Sequence, residues 1–449
     1  MEKNLTNGSI LKTIIMFSLP FLMSYLLQTL YGLADLFIIG QFDPTESTTA
    51  VSIGSQVMHM LTVMIVGLAM GATVLIGKAV GSGDTQLKNK AIGNTIVLFI
   101  IISVCFTAIL LMCVSLIVRV MSTPDEAVRG TRQYLMICFA GIPFITMYNI
   151  ICSVYRGMGD SKSPMYFVAV ACICNILLDY IFIGLVGLGP AGAALGTTLS
   201  QGISVIISVC VTVKKQMITG LKKEHFKLQT GIISNILKVG LPIMAQDAFI
   251  QISFIVITIF ANRRGLSDSA AVGIVEKLIG ILFLVPSTLL SSVSAICAQN
   301  IGAGKDDRAR RTMWDSVFIA VGCGMFFAIL FQFVAAQAVG LFSSDPEVIR
   351  LGDQYMRSYV WDCVFAGIHF VFSGYFCALS RSGLSFIHNI TSALVARIPI
   401  AYYTSIRFAD TLYPMGWAAP IGSIVSVIIC LIAYFYIRSK TEGDLRNDS

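Results

Sequence analysis

The sequence predicts an all-α integral membrane protein of twelve transmembrane helices, arranged as two six-helix lobes related by a pseudo-twofold axis along the membrane normal. Three observations predict this fold class: an apolar composition, a series of long apolar segments, and a pattern that is repeated once. Of the 449 residues, 56% are hydrophobic and 12% are charged, whereas about a quarter of the residues of a soluble domain are charged. Lipid is therefore the expected solvent.

Proline, glycine and charge clusters divide the chain into twelve apolar stretches. A helix needs about 20 apolar residues to cross a hydrocarbon core of roughly 30 Å. The first stretch is long enough to span and lacks the short core of a cleavable signal, so it should be retained. The predicted spans are 13–40, 52–77, 91–118, 133–155, 164–186, 191–213, 232–261, 270–298, 313–341, 354–379, 386–406 and 415–437.

Short motifs recur in the same order in the two halves of the chain, at a nearly constant offset. Leu19-Pro20 returns as Leu241-Pro242, and Gly81-Ser-Gly83 returns as Gly302-Ala-Gly304. Such repetition indicates a duplicated unit. Because six spans is an even number, both copies enter the membrane in the same direction, which gives parallel lobes with a central cleft.

The copies define a domain layout of an N-terminal lobe at 1–213, a linker at 214–231, a C-terminal lobe at 232–437 and a tail at 438–449. Most of the 31 lysines and arginines lie on one side when the N-terminus is placed inside. The positive-inside rule then predicts a multi-pass protein of the cell (inner) membrane with both termini, the linker and the tail in the cytoplasm. Orientation in the bilayer is sufficient to explain the net charge of +7.

Two acids lie at membrane depth in the N-terminal half. Asp35 is well inside the first span and Asp179 is well inside the fifth. An ionised carboxylate there costs at least about 2.5 kcal/mol, so each needs a partner. Helical spacing of three or four residues places further polar groups on the same faces: Gln28 and Tyr31 with Asp35, Asn175 with Asp179, and Gln201 with Thr197 on the sixth span.

If these faces converge, they offer carboxylate, amide and hydroxyl oxygens, which are hard ligands suited to Na⁺ and able to hold a proton. Two carboxylates about 5 Å apart at an effective dielectric constant of 20 repel by roughly 3 kcal/mol. A shared proton or bound cation would relieve that repulsion. The alternative is two unrelated polar residues, each hydrogen-bonded between helices.

The C-terminal half contains membrane charges of both signs: Asp247, Glu276, Lys277, Asp362 and Arg397. Structural ion pairing is the favoured interpretation, and the alternative is that Asp247 or Asp362 lines the substrate cleft. Pro20 precedes Asp35 in the same helix, where an internal proline favours a kink. That kink is either a moving part or a static feature.

The sequence gives little support for metal binding or for a phosphate-binding loop. The twelve cysteines and four histidines show no metal-ligand spacing, and Gly302-Ala-Gly304-Lys305 lacks the remaining residues of a phosphate-binding loop. No cofactor, no catalytic metal and no nucleic-acid partner are expected. The bilayer is the expected surrounding, and a monomer is the expected state.

Four motifs resemble the multidrug and toxic compound extrusion (MATE) family across nearly the whole chain. They are Pro20 with Tyr31 and Asp35, Asn175-Ile-Leu-Leu-Asp179, Gly189-Pro-Ala-Gly-Ala-Ala-Leu-Gly-Thr197, and Ala298-Gln-Asn-Ile-Gly-Ala-Gly304. The resemblance implies a transporter rather than an enzyme, which exports small cationic or amphipathic molecules in exchange for Na⁺ or H⁺ by alternating access.

The same resemblance implies roles for individual residues. Asp35, Asn175, Asp179 and Thr197 would bind the coupling ion, with a backbone carbonyl near Ala193. Gln28 and Tyr31 would support that site, and Pro20 would bend the first helix. One branch of the family has a glutamate in the seventh helix, where this chain has Gln246-Asp247, and this difference favours the branch with an N-lobe ion site.

Two alternatives from other classes remain. A flippase for a lipid-linked sugar or another amphiphile would share the repeated lobes, but a large anionic substrate requires a basic cleft, and Lys277 and Arg397 are the only basic residues placed well inside the spans. A membrane-embedded enzyme would need a nucleophile or metal set that the sequence does not show.

Overall fold

The computed structural model of the protein describes residues 4–214 and 220–447, with side chains described as far as residue 440. Every regular element in this part of the chain is helical, and no strand occurs in it. The linker expected at 214–231 lies partly outside the described residues, because 215–219 are not described. The same holds for the end of the tail at 448–449.

Most of the helices follow one another with short connections. In chain order they are α1 (Ile10–Phe42), α2 (Thr45–Gly81), α3 (Thr85–Val120), α4 (Asp125–Ala140), α5 (Ile142–Gly157), α6 (Lys162–Asp179), α7 (Gly189–Lys214), α8 (Thr230–Arg264), α9 (Leu266–Leu282), α10 (Leu284–Gly302), α11 (Asp306–Gly340), α12 (Pro346–Tyr359), α13 (Asp362–Ala378), α14 (Gly383–Ser392), α15 (Ile398–Arg407), α16 (Tyr413–Gly416) and α17 (Ala418–Asn447). A six-residue π-helical turn, Tyr180–Leu185, follows α6, and a second π-helical turn, Ala393–Arg397, lies between α14 and α15.

Many of the described helices are long and apolar enough to cross a membrane. Ten of them, counted with their π-helical or short breaks, could cross a bilayer, and the number is twelve if each of two bent pairs forms one span. The prediction of an all-α membrane protein with twelve spans is confirmed. Most helices extend beyond the predicted spans, because the polar first and last turns continue the helix past the apolar stretch.

Two spans are bent, which the sequence analysis did not predict. The helices α4 and α5 meet at 48°, and α12 and α13 meet at 42°. Pro143 occupies the first turn of α5, and its missing N–H interrupts the backbone hydrogen-bond ladder at that point. The fourth span thus consists of two helices, and it begins at Asp125, earlier than the predicted residue 133.

The chain divides into two compact units. Unit 1 comprises Met1–Met244 and Ala298–Lys305, and unit 2 comprises Ala245–Cys297 and Asp306–Ser449. In unit 1, α6 packs against α1 and α7, and α2 packs against α4 and α5. In unit 2, α13 packs against α11 and α17.

Buried apolar side chains fill both units. One core of unit 1 joins α1, α2, α4 and α7 through residues such as Ile39, Tyr134 and Ala193. A core of unit 2 joins α9, α12 and α13 through residues such as Val275, Tyr359 and Cys363. In a bilayer, close packing of this kind rather than exclusion of water holds helices together.

The repeat extends to the turns between helices. Gly83, after α2, has φ of 71°, and Gly304, after α10, has φ of 69°. Likewise Gly159, after α5, has φ of 83°, and Ser380, after α13, has φ of 58°. Left-handed backbone is costly for most residues but open to glycine. The serine is therefore the strained member of the second pair.

Candidate functional site

Asp35 and Asp179 are buried together in unit 1. Asp35 lies in the second half of α1 with 3% of its surface exposed, and Asp179 closes α6 with 0% exposed. Since α6 packs directly against α1, the two carboxyl groups lie near each other. The structure therefore brings together the two acids that the sequence placed on different spans.

The α-helix gives way to a π-helical turn immediately after Asp179. Tyr180–Leu185 continue the fifth span with i to i+5 bonding. A π-helical turn leaves its preceding carbonyls with altered partners, and such turns are frequent at functional sites. The apolar sequence Tyr-Ile-Phe-Ile-Gly-Leu gave no signal for it.

Each carboxylate receives one hydrogen bond from a neighbouring side chain. Thr197 Oγ1 donates to Asp35 Oδ2 at 3.3 Å, and Asn175 Nδ2 donates to Asp179 Oδ2 at 3.3 Å. The other oxygen of each acid, and Asn175 Oδ1, is buried without a hydrogen-bond partner among the described residues. Ionised carboxylates only accept hydrogen bonds, so these acids can be joined to each other only through a proton or a cation.

Glycine at position 196 lets α7 approach Asp179. A Cβ atom on Gly196 would overlap Asp179 Oδ1. The sequence analysis used this glycine only as part of a family motif and did not identify its role. Any larger residue here would displace the carboxylate oxygen that lacks a partner.

The other predicted site residues differ in their burial and in their contacts near this pair. Tyr31 lies one helical turn before Asp35, and Gln201 on α7 lies near it. Gln201 is buried, and its Oε1 has no hydrogen-bond partner in the described part of the chain. Ala193 is fully buried in the apolar core next to the site. Gln28 is half-buried on α1, and the structure gives it no specific contact with the acids.

Tyr134 is a site neighbour that sequence reasoning missed. It is 2% exposed on α4, exchanges a hydrogen bond with Ser55 at 3.1 Å, and lies near Asp35. The sequence analysis assigned Tyr134 no role. A tyrosine on the buried face of an amphipathic helix offers no signal that distinguishes a site residue from a core residue.

Pro20 lies inside α1, which continues through it. Ser24 Oγ donates to the Pro20 carbonyl at 2.8 Å. Hydroxyl groups that bond to the preceding turn of a helix often accompany a bend. The predicted bending role of Pro20 stays a prediction.

In unit 2 the membrane charges are partly paired. Arg397 Nη2 donates to Asp362 Oδ2 at 2.9 Å, and Asp362 is fully buried. Glu276 accepts from Thr258 Oγ1 at 3.2 Å. Ion pairing, which the sequence analysis favoured, is thus present for Asp362 and Arg397. Asp247 is half-buried beside the buried Gln246.

A family model described as MatE matches the chain twice, at residues 20–181 and 242–403. The first match begins at Pro20 and the second at Pro242, so the two matches have the same offset as the repeated Leu-Pro motif, and together they cover most of the chain. This chain belongs to the MatE family. Members are membrane transporters, so the MatE chain is a transporter and not an enzyme.

Curated relatives match this MatE protein over almost their full length. A probable multidrug resistance protein of Bacillus subtilis, YpnP, is 28% identical over 96% of both chains. The multidrug export protein MepA of Staphylococcus haemolyticus is 23% identical over 97% of this chain and 96% of its own. A FAD transporter of Shewanella oneidensis is 24% identical over 95% of this chain and 94% of its own.

Solved structures share the fold. An outward-facing multidrug resistance MATE transporter of the MOP superfamily has a TM-score of 0.91 at 22% identity and covers 98% of both chains. A MOP superfamily transporter from Pyrococcus furiosus has a TM-score of 0.89 at 22% identity and the same coverage. These likenesses support the twelve-span fold of MATE transporters.

Proposed function

We propose that this protein is an antiporter that exports cationic or amphipathic compounds in exchange for Na⁺ or H⁺, and that Asp35 and Asp179 bind the coupling ion. One observation supports the ion site above all others: two buried carboxyl groups face each other, and each keeps one oxygen without a partner. A carboxylate pair in this environment is costly unless a proton or cation neutralises it.

The ligands available are oxygens. Asp35 Oδ1, Asp179 Oδ1 and Asn175 Oδ1 are free of hydrogen bonds within the described chain, and Thr197 Oγ1 lies beside Asp35. Oxygen ligands suit hard cations, and the same carboxylates can instead share one proton.

Coupling requires the ion and the exported compound to favour different conformations. A ligand that binds two states equally shifts neither of them. In the proposed cycle, the acids take up the ion in the outward-facing state and release it to the cytoplasm in the inward-facing state. Release leaves two buried negative charges, which disfavours that state until export returns the protein to the outward side.

The relatives support drugs as cargo. YpnP and MepA are named for multidrug resistance and export, and we extend that class of substrate to this protein. The FAD transporter shows that a relative of comparable similarity is named for a metabolite instead. Flipping of a lipid-linked sugar has no counterpart among these relatives and is the weaker alternative.

We further propose the arrangement in the cell. The protein would lie in the inner membrane as a monomer, with both termini cytoplasmic and with lobes at 1–213 and 232–437. Transport of small molecules across lipid requires no nucleic acid or organic cofactor.

A transport assay tests the proposed function. Purified protein is reconstituted in liposomes, the membrane potential is held at zero, and an inward Na⁺ gradient or pH gradient is imposed separately while efflux of ethidium is followed. We expect efflux to follow one gradient and to stop when an ionophore removes it. Ethidium movement under neither gradient would contradict drug export and would favour a dedicated metabolite or lipid substrate.

A further inference from the structure

Unit 2 contains a cavity that the ion site does not explain. The cavity is lined by helices α8, α13, α14 and α17, by the turn at Phe283, and by the π-helical turn Ala393–Arg397. Four phenylalanines provide most of its apolar wall: Phe249, Phe254, Phe283 and Phe370. The empty space is about 520 Å³ when the part that opens to the surroundings is included, so a bound molecule would lie partly inside the cavity and partly in its opening.

The cavity has a single charged lining residue. Among the described residues that line it, Arg397 alone carries a full charge, and no aspartate or glutamate lies in the wall. Asp362 is fully buried and is not part of the lining. The cavity therefore presents a positive group and not a negative one.

Two contacts fix the guanidinium of Arg397, and some of its N–H groups remain available as hydrogen-bond donors. Its Nη2 bonds to Asp362 at 2.9 Å, and its guanidinium lies 5.4 Å from the centre of the Phe254 ring. Its Nε and Nη1 form no hydrogen bond within the described chain, and the side chain is 12% exposed. The remaining N–H groups of this fixed guanidinium can donate charge-assisted hydrogen bonds to a carboxylate.

One polar atom of the wall also has no hydrogen-bond partner among the described residues. His369 lines the cavity and is 4% exposed, and its Nδ1 has no hydrogen-bond partner in the described part of the chain. Its Nε2 lies 3.4 Å from Ser423 Oγ. A buried ring nitrogen without a partner is unfavourable unless something enters the cavity and bonds to it. The lining thus combines aromatic faces, a cation and an unused hydrogen-bonding group.

We propose that this cavity binds a small aromatic molecule that carries a carboxylate. The carboxylate accepts hydrogen bonds from the free N–H groups of Arg397, the ring packs against the phenylalanines, and a polar substituent reaches His369. This site is separate from the pair of Asp35 and Asp179, and the proposal does not depend on the direction or the coupling of transport.

Binding of three ring-matched probes tests the charge preference. The probes are 2-naphthoate, 2-naphthalenemethanol and 2-naphthylmethylammonium, which share one ring system and are negative, neutral and positive. Each is titrated into the full-length protein in lipid nanodiscs without any gradient, so failure of transport cannot affect the result. We expect 2-naphthoate to bind at least about tenfold more tightly than either of the others, which is about 1.4 kcal/mol.

Two variants locate the site. The double variant Asp362→Asn/Arg397→Gln removes both members of the ion pair together. Ala393→Leu adds volume at the cavity wall while keeping Arg397. Both should lose the preference for 2-naphthoate. Arg407→Gln, an exposed position on the same span that does not line the cavity, should keep it, and thermal melting checks that each variant folds.

Equal binding of the three probes would overturn the proposal. So would unchanged 2-naphthoate affinity in the cavity-filled variant, which would place the carboxylate elsewhere. If the double variant does not fold, Ala393→Leu decides the question by itself.

Discussion

Few hydrogen-bond donors reach Asp35 and Asp179 in the interior of unit 1. Thr197 and Asn175 supply one hydrogen bond to each acid, and the remaining oxygens lack protein partners among the described residues. A purely structural acid would be expected to have its full set of partners, as buried polar groups usually do. This deficit supports the proposal that an ion completes the site.

Neutralising either acid should abolish coupling. In Asp179→Asn and in Asp35→Asn, one ionisable group is lost and the site can no longer alternate between a neutralised and a doubly charged state. We expect gradient-driven ethidium efflux to fall more than about tenfold, equivalent to about 1.4 kcal/mol, while expression and melting temperature remain near those of the wild type.

Asp125→Asn is the matched control for these variants, since Asp125 is exposed in the first turn of α4. Efflux at the wild-type rate in both site variants would remove these acids from the mechanism. A control that also loses efflux would mean that the assay does not separate the site from the rest of the protein.

Gly196 provides a second test at residue scale. In Gly196→Ala the new methyl group would overlap Asp179 Oδ1, and overpacking of this kind costs about 1–3 kcal/mol. We expect a lower melting temperature and a loss of coupled efflux. Gly202→Ala on the same helix meets only ordinary contacts with Phe144 at 3.7 Å or more and should be tolerated. Equal tolerance of both changes would show that α7 does not fix the carboxylate.

The elements around the site show where prediction from sequence succeeds and where it fails. Asp35 and Asp179 stand out because a charge in a long apolar run is rare and costly. The π-helical turn after Asp179, the 48° bend between α4 and α5 and the fit of Gly196 against Asp179 depend on contacts between distant segments. Hydropathy and spacing along one segment do not record such contacts.

Pro20 is the feature of α1 that can be tested. Alanine at this position restores an N–H group and the backbone hydrogen bond that proline removes. If α1 bends during transport, Pro20→Ala should slow ethidium efflux while the cation still binds to the purified protein.

Pro346→Ala is the control for that variant, because Pro346 begins α12, where the missing N–H is not needed. An unchanged efflux rate in Pro20→Ala would mean that any bend at this position is static.

At the scale of the whole molecule, duplication explains much of what the sequence could predict. The family model matches both halves of the chain, starting at Pro20 and at Pro242, and paired turns such as those at Gly83 and Gly304 adopt the same left-handed backbone. The site is not duplicated, because in this register Ala401 stands where the first copy has Asp179. The repeat thus fixes the scaffold, and single substitutions on it separate the chemistry of the two units.

Topology gives a prediction for the whole chain. Green fluorescent protein fused after Ser449 should fluoresce, because the C-terminus is expected in the cytoplasm. Alkaline phosphatase fused after Ser122, which follows the third span, should be active on the outer side. The reverse pair of results would invert the orientation and the proposed direction of ion flow.

The most direct test of the central claim is infrared difference spectroscopy of the carboxyl groups in purified protein, recorded on lowering the pH and on adding Na⁺. We predict a protonated-carboxyl signal that appears on acidification or changes with Na⁺ in the wild type and in Asp125→Asn, and that is lost in Asp35→Asn and in Asp179→Asn. A signal of the same size in all four proteins would contradict the assignment of this pair as the coupling-ion site.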